Sequence, residues 1–598
     1  GIPIRTTGLF NHNALLEMNM AALKTVEVIK GPSSSLYGSE AIGGVVNFIS
    51  MAPTVIPVFK LGVQGNDIGY KRAEFLTSVR HKKFGFVVSG YHANKKNGYL
   101  EYSDFKKSIL TARADYQFNN STSLSNSVTI LKYDSDMSGG IDSTMFANRS
   151  FKNLHSFTYR RVDATRFHST LSKKWSDHSK ITITGLLKKN SIAQNPAYRV
   201  KDDYRKQGNV SVGKKDLAHG EINESSFQSY SLIAQHKQQF DWLDASITGG
   251  ASVDLSPSDY QSNYIRIKKD STTRKYLSYE STDSVLTNYS TGLNNYAAFV
   301  SGEISPTDKL RIVASLRYDM FQYKFDNHLT PSAFSGSADT SNRFAQFSPK
   351  IGFTYNFSAS VGAYANYSEG FVPPQVTEMF TGVKVPDLSA SVFYNYEVGG
   401  WLNLFHGKVN ADFSAYQLNG TNEIVSVKMD DGSFANANAG KTSHKGIEFG
   451  ITVTPVKPVV VRFSGAYSKH RFTTFNEKGV QYDGNEMNNA PNWIHNSEIW
   501  YKPSFLKGLR LGAEWQRIGR YFMDPKNSVR YDGYHVFHVR AGYKYKGAEI
   551  WLNVMNVTDN YYSYVSTKSN SGYSYQLAEP RNFNFGVAYD LATIFKTQ

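Results

Sequence analysis

From residue 57 to the C-terminus, one pattern recurs: apolar and polar residues alternate strictly over roughly eight to ten positions. Leu310, Ile312, Ala314, Leu316 and Tyr318 alternate with Arg311, Ser315, Arg317 and Asp319, with Val313 alone out of step. Val409, Ala411, Phe413 and Ala415 alternate with Asn410, Asp412, Ser414 and Tyr416. Phe537, Val539, Ala541 and Tyr543 alternate with His538, Arg540, Gly542 and Lys544. Ala548, Ile550, Leu552 and Val554 repeat the pattern, and Phe583, Phe585, Val587 and Tyr589 close the series. A period of two sorts each set onto its own face of a β-strand. One face is apolar and the other carries ions.

A β-sandwich also alternates, so the connections have to decide. Ten short turn-like segments fall at 80–84, 118–122, 176–180, 240–244, 306–309, 357–359, 404–408, 455–458, 502–508 and 546–547. Longer polar stretches lie between them, at 134–149, 190–224, 254–295, 324–342, 368–395, 419–445, 469–496, 519–533 and 560–580. Alternating short and long connections are the pattern of an outer-membrane barrel, with short periplasmic turns and long extracellular loops. Ten turns joining eleven hairpins predict an all-β fold: a 22-stranded antiparallel transmembrane β-barrel. In lipid every backbone group must be paired, so the sheet has to close. Aromatic residues near strand ends (Tyr318 and Tyr323, Tyr394 and Tyr396, Trp500 and Tyr501, Tyr561 and Tyr562) are expected to form interfacial girdles.

Composition narrows the remaining options. No apolar run approaches the ~18 residues of a transmembrane helix. Cysteine is absent, which removes disulfides and thiolate chemistry. The formal charge is +16, but the Lys and Arg are spread along the whole chain. With no basic helix or compact basic domain, no nucleic-acid partner is expected. Asp134, Asp136, Ser138 and Gly139 open like a calcium loop, yet Met145 stands where the bidentate Glu belongs, so no metal site is expected. No G-x-x-x-x-G-K-[ST], H-E-x-x-H or G-x-S-x-G occurs, and no acid–base or nucleophile constellation is visible. Neither an enzyme nor a resident cofactor is expected.

Residues 1–50 do not alternate in this way. Thr25–Lys30 reads as a short strand stopped by Gly31-Pro32, and residues 41–50 as a second strand opened by a glycine pair. The run Val26-Glu27-Val28-Ile29-Lys30-Gly31-Pro32-Ser33-Ser34-Ser35-Leu36-Tyr37-Gly38, followed by Ala41-Ile42-Gly43-Gly44-Val45-Val46-Asn47, resembles the end of the plug domain of TonB-dependent receptors. Gly1-Ile2-Pro3-Ile4 is similar to another plug strand. Further resemblances lie in Ser348-Pro349-Lys350-Ile351-Gly352, in Tyr367–Pro374, in Asn395–Gly399, in Asn438-Ala439-Gly440 with His444–Glu448, and in Asn553–Asp559 with Tyr561-Tyr562. Their order and spacing carry the resemblance from residue 1 to about residue 590.

The resemblance implies residues 1–53 as the C-terminal part of a plug seated in the lumen and residues 54–598 as the barrel. It implies a receptor in the outer membrane of a Gram-negative bacterium, monomeric and embedded in outer-membrane lipid. Such a receptor imports a scarce nutrient with energy delivered by TonB, and a ferric siderophore is the expected ligand. Haem, cobalamin or a glycan are the alternatives, with a passive porin behind them. Between Phe371 and Tyr396 there is no His, which counts against haem. The segment 8–13 resembles an apex loop of siderophore receptors, so Arg5, Phe10, Asn11, His12 and Asn13 are the expected ligand contacts. Glu27 and Lys30 are expected to pair with the barrel instead. The inward arginines Arg311, Arg317, Arg462, Arg510 and Arg540 are expected to make the lumen positive, set against the inward acids Asp319, Asp412 and Glu549. The family's TonB box and signal peptide would precede Gly1. Without the box, the chain is expected to bind ligand weakly, not to accumulate it, and to leak small solutes.

Overall fold

The computed structural model describes residues 2–4, 9, 14–207, 210–428, 434–569 and 572–592. Among these, one antiparallel sheet has 23 members. The two-residue strand Lys201–Asp202 is an addition beside His219 and Ala218, which leaves 22 wall strands. The wall closes where Val58–Asn66 pairs with Asn582–Asp590, Lys60 opposite Asp590 and Asn66 opposite Asn584. The Phe59 N–H also donates to the Asp590 carboxylate at 3.1 Å across this seam. Closure leaves no open edge in the hydrocarbon, as the alternation predicts.

All ten predicted short turns connect neighbouring wall strands, and they lie at one end of the barrel. The other end is less regular than the sequence suggests. The connection at 67–69 has only three residues, within the range of the turns, so short and long do not alternate strictly. The stretch 254–295 is no loop. Ala245–Lys269 and Tyr276–Thr307 run as strands of 25 and 32 residues, joined by only six residues. The stretch 419–445 likewise belongs mostly to Val409–Lys428 and Phe434–Val453. Opposite these tall strands the wall is low: Ala548–Met555 has 8 residues and Asn582–Asp590 has 9.

The faces sort as the period of two requires. Leu316, Phe413, Val539, Ile550, Leu552, Phe585 and Val587 are exposed on the outside, where acyl chains meet them. Ser315, Arg317 and Asp319 are buried on the inside. The girdle expectation holds in part. Tyr318, Tyr396 and Tyr501 face outward, whereas Tyr323 and Tyr562 are buried.

In the N-terminal segment, Leu23–Lys30 and Gly44–Ser50 form an antiparallel hairpin, with Val28 opposite Val46. The single helical turn Ser34–Tyr37 lies between the two strands. Gly31 and Gly38 take φ of +71° and +85°, as a turn without a Cβ allows. The glycine pair Gly43-Gly44 serves the hairpin itself rather than a contact with the wall. A Cβ on Gly43 would meet nothing within 4 Å, while one on Gly44 would lie 2.3 Å from the Ile29 carbonyl oxygen of its own hairpin.

Candidate functional site in the barrel lumen

The N-terminal segment is held by wall residues on several sides. Asn19 donates its side-chain amide to the Ser89 carbonyl at 3.1 Å and to its hydroxyl at 3.2 Å. Glu17 accepts from Asn190 at 2.6 Å and pairs with Lys188 at 3.3 Å. Burial there pushes the Glu17 carboxyl up from its ordinary value, against the pull of Lys188. Lys188 also donates to the Ile4 carbonyl. Lys30 pairs with Glu448 at 2.7 Å, and the Glu40 N–H donates to the Phe371 carbonyl at 2.8 Å. The expectation that Lys30 meets the barrel is met. Glu27 instead takes a hydrogen bond from Asn47, its cross-strand neighbour, at 3.0 Å.

The expected positive lumen is not what the wall presents. Each of the five arginines lies beside a carboxylate of the wall. Arg311 pairs with Glu303 at 2.6 Å, Arg317 with Asp319 at 2.8 Å and Arg462 with Glu498 at 2.9 Å. Arg510 pairs with Glu549 at 2.6 Å, and Arg540 with Glu514. Counting cations on one strand misses acids at the same height on that strand or the next.

Toward the long-loop end the inner wall changes character. Leu310–Asn327 places Phe321, Tyr323 and Phe325 on the same face as Arg317 and Asp319, and all three are buried. Phe371, from Val361–Val372, lies edge-on to Phe321 with centroids 5.9 Å apart, and Phe344 stacks on Phe321 at 5.2 Å. The segment 373–390 folds over this group. Its helical turn Val376–Phe380 stacks Phe380 on Phe325 at 4.6 Å and buries Val376 and Met379. The turn is fastened at three points. The Gln375 N–H donates to Glu378 at 2.7 Å, Asn436 donates to the Glu378 carbonyl at 2.7 Å, and the Ser337 N–H donates to the Phe380 carbonyl at 3.0 Å. Leu9 packs against the same cluster from the N-terminal segment. The Tyr323 and Thr291 hydroxyls are buried with no hydrogen-bond partner among the described residues.

Of the predicted ligand contacts, Arg5, Phe10, Asn11, His12 and Asn13 lie outside the described residues. Their neighbour Leu9 sits against the aromatic cluster. The cluster itself went unread in the sequence, although its signal was there. On Leu310–Asn327 the polar register turns aromatic at Phe321, Tyr323 and Phe325, which marks where a wet inner face becomes a packed one.

Comparison with known proteins agrees with this architecture. A family described as TonB dependent receptor-like, beta-barrel matches residues 62–557, and TonB-dependent Receptor Plug Domain matches residues 1–45. The metal-pseudopaline receptor CntO of Pseudomonas aeruginosa is 21% identical over 597 residues, covering 95% of this chain and 80% of that protein. The ferrichrome outer membrane transporter/phage receptor of Escherichia coli is 22% identical, covering 94% and 78%. Among solved structures, the siderophore receptor PiuA from Acinetobacter baumannii superposes with a TM-score of 0.78 at 16% identity, covering 96% of this chain and 87% of its own. The ferric citrate transporter FecA in the unliganded form gives 0.79 at 15%, covering 99% and 87%. With a closed 22-stranded wall, a segment lodged inside it and a family match over most of the chain, this protein belongs to the TonB-dependent receptors of the outer membrane.

Proposed function

We propose that this receptor binds a ferric siderophore at the long-loop end of the lumen and imports it with energy relayed by TonB through the plug. The observation that carries the reading is the aromatic cluster beneath 373–390, met from below by Leu9. Once 373–390 lifts from it, such a surface suits a bulky organic chelate, which offers planar and apolar faces. Tyr323 and Thr291 add two buried hydroxyls without a hydrogen-bond partner among the described residues, which chelate oxygens would supply on that opening. The relatives that cover most of this chain support the same class of ligand, since their names speak of metal-pseudopaline and ferrichrome.

In this reading residues 1–53 act as plug and residues 54–598 as a monomeric, lipid-embedded barrel. Arg5, Phe10, Asn11, His12 and Asn13 form the apex that touches ligand. The receptor performs no covalent chemistry. The test is uptake of radiolabelled iron by a receptor-deficient host expressing the full-length protein. Hydroxamate, catecholate and mixed chelates are offered one at a time beside labelled cobalamin, haem and oligosaccharide. Accumulation of one ferric chelate that stops when the proton gradient is collapsed supports the proposal. Accumulation of cobalamin, haem or sugar alone overturns it.

A further inference from the structure

On the inner wall two histidines of neighbouring strands face each other. His444, on Phe434–Val453, stands directly opposite His470, on Val459–Thr474. His444 shares its face with Glu448, which meets Lys30 of the N-terminal segment, so the pair looks into the lumen. The period of two puts Lys445, Lys469 and Arg471 on the opposite face. Sequence spacing hides the pair, because the two histidines are 26 residues apart and meet only across the ladder.

The contact is between like atoms. His444 Nδ1 and His470 Nδ1 lie 2.8 Å apart, with the ring centroids at 5.0 Å and the planes tilted by 56°. Both Nε2 atoms are held by hydroxyls. His444 Nε2 lies 3.0 Å from Thr442 Oγ1, and His470 Nε2 lies 2.9 Å from Ser468 Oγ. Thr442 and Ser468 are buried, and Thr442 donates in turn to the Glu423 carboxylate. That donation fixes one end of the chain. With its proton given to Glu423, the Thr442 oxygen accepts from His444 Nε2–H, which leaves the His444 Nδ1 lone pair turned toward His470. A metal-ligating imidazole is held in the same manner, its far N–H given to an oxygen that fixes the ring and the tautomer.

We propose that His444 and His470 bind a cupric ion through their two Nδ1 atoms. The ion takes the place of the one proton that the two nitrogens share. His470 then carries its proton on Nε2, and Ser468 Oγ turns from donor to acceptor, so both imidazoles bind neutral and no proton is released. The spacing chooses the metal. Two nitrogens each ~2.0 Å from an ion lie ~2.8 Å apart at a right angle and ~3.3 Å apart at the tetrahedral angle of zinc. The observed 2.8 Å is the right-angled separation, which belongs to tetragonal Cu²⁺ or Ni²⁺, and copper binds nitrogen the more tightly of the two. Among the described residues no third imidazole or carboxylate completes the set, so water fills the other positions. The site takes a hydrated ion and not an organic chelate, which makes it independent of the siderophore proposed for the long-loop end.

The test titrates the full chain, folded and purified in neutral detergent, with cupric ion. Tartrate, an oxygen-only chelator, holds copper away from isolated surface histidines. Electron paramagnetic resonance is expected to show one equivalent bound by two nitrogens. His444→Gln and His470→Gln are each expected to lose that signal. Thr442→Val is expected to keep the two-nitrogen signal but to bind about 10–100-fold more weakly, because the hydroxyl that orients His444 is gone. Undiminished binding by the His444→Gln chain overturns the proposal, as does an unaltered chain that takes no copper from tartrate. Zinc that displaces copper at equal concentration overturns the right-angled geometry. A second readout needs no variant: ethoxycarbonylation of histidines by diethyl pyrocarbonate, followed peptide by peptide in mass spectrometry. Copper that slows the reaction at His444 and His470, and leaves the exposed His81 and His328 unchanged, supports the site. Equal rates at His444 and His470 with and without copper overturn it.

Discussion

Arg317 grips Asp319 through two parallel hydrogen bonds of 2.8 and 2.9 Å, and both residues are buried on the inner wall. Asn295 donates to the same carboxylate at 3.2 Å. Removing one partner of such a pair strands a buried charge, at a cost of about 3–5 kcal/mol. Asp319→Asn is therefore expected to lower the stability of the reconstituted chain by that amount in urea unfolding followed by tryptophan fluorescence. The Lys30–Glu448 pair has the same chemistry and a different setting, since Lys30 is more than half exposed. A double-mutant cycle on that pair is expected to return less than about 1 kcal/mol.

Gly38 lies above this grip. Its φ of +85° and ψ of −159° are open essentially to glycine alone, and a Cβ there would lie 3.3 Å from the Arg317 guanidinium. Gly38→Ala is expected to cost about 1–3 kcal/mol and to loosen the turn 31–43 from the wall. Limited proteolysis of the folded variant should cut within residues 31–43 faster than in the unaltered chain. An unchanged cleavage rate would contradict the strain.

Substitutions on the two faces of one short strand should separate lipid from lumen. Leu552→Arg, on the outside near the middle of the apolar band, is expected to cost about 2–4 kcal/mol of refolding stability in lipid vesicles. Asn553→Arg, on the inside of the same strand, should cost much less. Equal losses would reverse the assignment of faces.

His155, in the connection 137–158, lies against Tyr276 with ring centroids 5.0 Å apart and the planes tilted by 36°. Burial holds its pKa down at about 4, from an ordinary 6.5. A histidine depressed in the folded state favours that state above the unfolded pKa, and the advantage is lost as pH falls through the folded one. Protection factors in 137–158, taken against the intrinsic exchange rate at each pH, should therefore fall between pH 6.5 and about 4. His155→Gln should flatten that dependence.

The wall was legible in the sequence because lipid enforces it. Wherever one face meets acyl chains and the other water, apolar and polar residues must alternate, and all ten turns follow from where alternation stops. Above the membrane both faces meet water, so the signal fades although the backbone ladder continues. That is why 254–295 reads as a loop and is instead two long strands. Charge was misread for a related reason. Arg462 can be counted from its own strand, but Glu498 beside it lies 36 residues away. The aromatic cluster shows the converse case. Phe321, Tyr323 and Phe325 are visible in the polar register, yet what they pack against comes from 376–380, which carries no alternation to place it.

The unequal strand lengths bear on how the outside world meets this protein. Strands of 24, 25 and 32 residues stand side by side on one flank, while those at the seam have 9 each and their neighbour Ala548–Met555 has 8. At ~3.3 Å per residue, the longest reaches roughly four times the length of the shortest. A continuous hydrogen-bonded screen therefore shields the entrance from one side. On the seam side the shelter is made of connecting segments, among them Tyr99, Phe146, Phe151 and Tyr561, which touch one another through ring contacts. A cargo arriving from the stiff flank is turned aside by a ladder that cannot part without breaking many bonds. One arriving over the seam meets packed rings, which give way far more readily. The hydrogen-bonded flank is therefore the stiff side of the entrance and the seam flank the yielding one.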